Sequence, residues 1–158
     1  MFWSNGFDCH CPFSKGKDLM NMNEHYVFVY GTLKAGFRNH RLLIDSEFIG
    51  NFKTLDRDYV MVSLGRSPAV RVDKLEGGYQ IEGEVYRVDD ETLADLDRLE
   101  GNGSFYTRKL VPIEGMTENN GQAWIYLFEN FKILFSFMQT RNSNRILMND
   151  FKSLVWTK

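Results

Sequence analysis

The chain has 158 residues, enough for one domain with a real core and too few for two comfortable ones. An apolar fraction of 43% beside 25% charged residues excludes a disordered chain, and a formal net charge of -2 supplies no field that would draw the protein onto nucleic acid or an anionic membrane. No run approaches the roughly 18 apolar residues of a membrane span, and Met1 to Met20 contains Asp, Lys, His and Gly where a secretion signal needs an unbroken apolar stretch, so a cytoplasmic protein is expected.

Residues 1–24 mix Ser, Asn, Gly, Lys and Asp with scattered aromatics and show no hydrophobic period, which predicts an irregular extension. Within it Cys9 and Cys11 flank His10. A disulfide between residues so close would be strained, and zinc spacing needs a second ligand pair at loop-closing distance, so reduced thiols and no metal are expected.

At His25 the texture changes. Tyr26-Val27-Phe28-Val29-Tyr30 is a β-branched and aromatic run that stops at Gly31, as a buried strand entering a tight turn would. Further strands are predicted over Tyr59 to Leu64, Tyr79 to Val88, Phe105 to Ile113 and Ala123 to Phe128. The polar stretch Glu114 to Gly121 predicts an antiparallel hairpin between the last two. Asp89 to Gly101 opens on residues suited to an N-cap and closes on a glycine suited to a helix C-terminus. Past this point a helix is expected over about Asn130 to Gln139, and another, with strand as its alternative, over Arg145 to Trp156. The tail from Phe131 to Lys158 holds five Lys or Arg against one acidic residue. It reads either as a contact surface for a protein partner or as the solvated face of a helix packed by Phe and Leu.

On the helix, a wheel turning about 100° per residue puts Leu93 at about 0°, Leu96 at about 300° and Leu99 at about 240°, an apolar stripe. Glu100 falls at about 340°, between Leu93 and Leu96 and toward the core, while Asp95 and Arg98 face water. Desolvation and the negative end of the helix dipole would both raise its pKa, which suits a group that accepts a proton and later returns it. The alternative is a buried ion pair, with Arg108 as the partner.

The loop Tyr30-Gly31-Thr32-Leu33-Lys34-Ala35-Gly36 begins on a residue without a Cβ and could turn successive backbone amides into a concavity able to hold a carboxylate or an oxyanion. It lacks the spacing of a phosphate loop. His10, His25 and His40 are dispersed and no Gly-x-Ser-x-Gly elbow accompanies them, which argues against a Ser-His-Asp hydrolase.

Tyr30-Gly31-Thr32-Leu33-Lys34, Asn39-His40, Gly83-Glu84-Val85-Tyr86, Leu96-Asp97-Arg98-Leu99-Glu100-Gly101 and Tyr106-Thr107-Arg108 together resemble the γ-glutamylcyclotransferase-like family, over about His25 to Asn130. The resemblance implies an α+β fold, a small mixed β-barrel with flanking helices, made by residues 25–130; outside it, the residues themselves predict 1–24 as an irregular extension and 131–158 as a basic, helical tail packed on the domain. It further implies an enzyme of the γ-glutamylamine cyclotransferase type, which closes a γ-glutamyl group to 5-oxoproline and releases an amine. Carried over residue by residue, Glu100 would be the general base and acid. Tyr30, Gly31, Thr32 and Leu33 would hold the glutamyl head, and Tyr106 would orient the carboxylate or substrate, unless it only packs. The substrate would be a small-molecule or peptide γ-glutamyl compound, and no metal or organic cofactor is implied. The competing reading is a non-enzymatic interaction protein that keeps the barrel and binds a macromolecule through its terminal extensions.

Overall fold

The computed structural model describes residues 23–74, 78–129, 146–148 and 153–157. These form strands β1 (His25–Val29), β2 (Glu47–Thr54), β3 (Tyr59–Ser63), β4 (Pro68–Val72), β5 (Gln80–Val88), β6 (Tyr106–Glu114), β7 (Gln122–Phe128), β8 (Ile146–Met148) and β9 (Ser153–Trp156), with helix α1 (Asp90–Glu100) between β5 and β6. Five strands close a barrel in the order β1-β7-β6-β2-β5, and β5 returns to β1. Every pair in this ring is antiparallel except β1–β7, so the barrel is mixed and the α+β class is as expected. Among the described residues one α-helix flanks it, and none is long and apolar enough to cross a membrane.

The unbroken apolar texture of β1 and β7 follows from burial on both faces. Phe28 and Tyr30 join Ile125, Leu127 and Trp156 in one core cluster, while Val27 and Val29 join Tyr126, Phe128 and the helix residues Leu93 and Leu96 in a second. The alternation of strand side chains therefore feeds two cores, one on each face of the sheet wall. Helix α1 is bounded as its sequence predicts: the Asp89 side chain accepts from the Thr92 amide at 2.8 Å, and Gly101 ends the helix with φ 61° and ψ 48°. The β6–β7 hairpin is formed, with a 3-10 turn at Glu118–Gly121 in its loop.

Two strands went unread in the sequence. The β2 run Glu-Phe-Ile-Gly-Asn-Phe-Lys-Thr has no clean alternation, because its register shifts between Phe48 and Gly50 and most of its side chains stay partly exposed. The short β4 opens on a proline and, among the described residues, pairs only with β3. In the tail, the helix expected over Arg145 to Trp156 is corrected to the strand alternative: β8 and β9 pair antiparallel, and β9 lies parallel to β5 at Gln80 and Ile81. An available sheet edge and the sequence Ser-Leu-Val-Trp favour extended backbone there. The helix expected over Asn130 to Gln139 and the extension to residue 22 lie outside the described residues.

Candidate active site

Strand β1 delivers Tyr30 into the loop that follows. The Tyr30 hydroxyl donates to the Tyr126 carbonyl at 2.7 Å, which ties the start of the loop to β7. The loop then folds on itself: the Lys34 amide donates to the Gly31 carbonyl at 3.1 Å, and Asn39 clasps Thr32 through its amide to the carbonyl and its side chain to Oγ1, each at 2.9 Å. Support from behind comes from Glu84, whose Oε2 accepts from the Ala35 amide and the Tyr86 hydroxyl, both at 2.8 Å, and from Lys34, whose Nζ donates to the Trp156 carbonyl at 3.1 Å. Burial lowers the Lys34 pKa, and Glu84 and Glu82 oppose the shift. These bonds occupy the Gly31 and Thr32 carbonyls and the Lys34 and Ala35 amides, whereas the amides of Gly31, Thr32 and Leu33 make no hydrogen bond among the described residues.

Gly31 is needed for clearance. Its φ is not in the left-handed region, but a Cβ there would stand 2.7 Å from Cγ of Pro68, well inside contact distance. The proline ring cannot swing away, so Gly31→Ala is expected to displace the loop and lower turnover about tenfold or more, since small misplacements of positioning groups are costly. Steady-state rates beside an unchanged far-UV spectrum check this; wild-type kinetics would show that the cradle tolerates the shift.

Facing the loop is the last turn of α1. A cavity of about 320 Å³ lies between them, and its lining includes all six residues singled out in the sequence: Tyr30, Gly31, Thr32, Leu33, Glu100 and Tyr106. Glu100 projects into it and makes no hydrogen bond or ion pair with a described residue. Burial raises its pKa from 4.5 to about 7. Desolvation by burial is the cause.

The ion pair considered for Glu100 is made by a neighbour. Arg108 donates to Asp97 at 2.8 Å and stacks over Trp124 at 4.9 Å, and Asp97 also accepts from the Tyr126 hydroxyl at 2.7 Å. This network braces the end of α1 against β6 and β7 and leaves Glu100 unneutralised. The wheel misplaces Leu99, which is 42% exposed at the cavity and takes no part in the core under Leu93 and Leu96. Tyr106 is buried, its hydroxyl donating to the Pro68 carbonyl at 3.2 Å and its ring packed edge-on against Phe105 and Phe128. Burial, with the charge of Glu100 as a second cause, raises its pKa, and burial does the same for Tyr30.

Arg38, Asn39, Ser67, Leu99, Phe105 and Tyr126 also line the cavity and were not singled out as site residues. Leu99 and Phe105 look like core in sequence, and Ser67 arrives through the β3–β4 hairpin, which was only half legible. Among the described residues no cluster of His, Cys, Asp and Glu could hold a metal ion, and Cys9, His10 and Cys11 lie outside them.

Comparison with known proteins agrees with this architecture. The family described as gamma-glutamyl cyclotransferase, AIG2-like, matches residues 27–153. A Vibrio cholerae protein provisionally named as a gamma-glutamylcyclotransferase is 38% identical over 117 residues, covering 74% of this chain and 93% of that one. A Methanocaldococcus jannaschii protein with the same provisional name is 40% identical over 104 residues, 65% of this chain and 83% of that one. The crystal structure of a mouse AIG2-like protein superposes with a TM-score of 0.57 at 28% identity, covering 71% of this chain and 83% of that chain. With the barrel, the loop and the helix-borne carboxylate in place, the chain belongs to the gamma-glutamyl cyclotransferase, AIG2-like family.

Proposed function

We propose that the protein is a γ-glutamylamine cyclotransferase-type enzyme, with Glu100 as general base and acid and the Gly31 to Leu33 amides as the cradle for the substrate. The observation that carries this reading is the shared cavity: an unpaired carboxylate with a pKa of about 7 faces a loop whose Gly31, Thr32 and Leu33 amides have no partner among the described residues. Glu100 takes a proton from the substrate's α-ammonium, and the freed nitrogen attacks the γ-carbonyl carbon to close a five-membered ring. Loop amides stabilise the oxyanion that forms. As the bond to the departing nitrogen breaks, Glu100 returns a proton to it. In all, two protons pass from the α-nitrogen to the departing amine, which leaves as an ammonium beside 5-oxoproline. Enclosure holds the flexible γ-glutamyl chain in its ring-closing conformation.

Incubation of the full chain with γ-glutamyl conjugates, with 5-oxoproline quantified by chromatography, tests the reaction directly. A second expectation follows from the raised pKa. Because the ionised carboxylate is the base, kcat/KM should climb as the pH rises to about 7 and level off above it. A profile flat from pH 5 to 8 would remove Glu100 from that role.

A further inference from the structure

The cavity is graded from floor to mouth. Its floor is Tyr30, Gly31 and Leu33, all buried, with Glu100 withdrawn beside them. Four lining residues are exposed: Arg38, Arg98, Leu99 and Phe105. The mouth is therefore two cations and two large apolar side chains, and among the described residues no acid other than Glu100 lines the cavity. The cations differ in availability. Arg98 is 78% exposed and donates to Asp95 at 2.6 Å, whereas no hydrogen bond or ion pair among the described residues engages Arg38. The backbone that carries Arg38 is anchored at the mouth, since Asn39, the next residue, clasps Thr32 through two hydrogen bonds.

Chemistry orients a substrate along this gradient. Ring closure must occur at Glu100, so the glutamyl head lies deep and the departing amine occupies the mouth. A cationic amine would meet two guanidinium groups there, while an anionic group would meet a partner able to bind it in a two-pronged fashion. Resting on the cyclotransferase reading above, we propose that Arg38 is a specificity-determining residue that pairs with an anionic group on the departing amine. The preferred substrates then release an amine that bears a carboxylate and an apolar body, such as an amino acid or short peptide, in preference to a simple or polycationic amine.

A matched pair of substrates isolates the point: γ-glutamyl-leucine and γ-glutamyl-3-methylbutylamine share the same apolar body and differ by one carboxylate. Wild-type kcat/KM should favour the leucine conjugate by about tenfold, the size expected of one charge-assisted contact. Arg38→Gln should bring the ratio close to one by a loss that falls mainly on the leucine conjugate, and Arg38→Lys should restore part of it. Equal losses on both conjugates would place Arg38 at the glutamyl head and overturn the proposal, as would a wild-type preference for the amine conjugate. Release of 5-oxoproline from neither conjugate would overturn the cyclotransferase reading and this proposal with it. An unchanged melting temperature for Arg38→Gln, expected of an exposed side chain without partners, separates these outcomes from misfolding.

Discussion

Glu100→Gln should lower the rate of 5-oxoproline release by about 10²–10⁴-fold, the span that a positioned acid–base group contributes. Glutamine keeps the length and shape of the side chain but can neither accept nor return a proton at neutral pH. The substitution should therefore act on kcat with little effect on KM, because the loop amides proposed to hold the substrate are untouched. Activity within about tenfold of wild type would sink the mechanism while leaving the family assignment intact.

The same variant carries a stability signature of opposite sign. Burial raises the Glu100 pKa from 4.5 to about 7, so the unfolded chain gives up this proton more readily than the folded one. Native stability is then fully present below pH 4.5, and the contribution is lost as the pH rises to about 7. The glutamine of the variant has no proton to lose. Relative to wild type, the variant should be more stable by about 1–3 kcal/mol at pH 8, allowing for the solvent that still reaches the carboxylate, and nearly equal at low pH. Urea unfolding at both pH values reads this out, and an identical difference at the two would contradict the buried, unpaired carboxylate.

Trp156→Ala is expected to cost about 3–5 kcal/mol of unfolding free energy, as for a large aromatic removed from a core. Trp156 is 1% exposed and packs among residues that include Phe28, Ile125 and Leu154. Its strand β9 has a ladder with β5 and its carbonyl accepts from Lys34 of the Tyr30 to Gly36 loop, so the damage should reach the cavity as well. A loss under about 1 kcal/mol would mean that the cavity collapses around the missing ring or that β9 adds little to the barrel. The described end of the tail is thus part of the fold, whatever surface the basic residues before it present.

How much of this was legible before folding depended on whether the signal was local. The N-cap Asp89, the stripe of Leu93 and Leu96, and the terminating Gly101 are neighbours in sequence, and α1 is found where they put it. The runs in β1 and β7 were equally plain because both faces of each strand are buried. β2 was hidden by its bulge and half-exposed side chains, and β9 because four residues of a tail carry no period that separates a strand from one turn of helix.

At the site the division is the same. Glu100 and the Tyr30 to Leu33 loop stood out by helical spacing and by motif, and the fold brings them to one cavity. The sequence by itself determined the helix that bears the carboxylate, the strand that enters the loop and the family to which their combination is similar. Only the tertiary structure decided that Arg108 pairs with Asp97 in place of Glu100, that Gly31 is there for Pro68, and that Arg38, Leu99 and Phe105 form a mouth. Caps and periodicity act between residues a few positions apart, whereas clearance, pairing and cavity walls depend on distances that exist only once β1, α1 and the β3–β4 hairpin have been brought together.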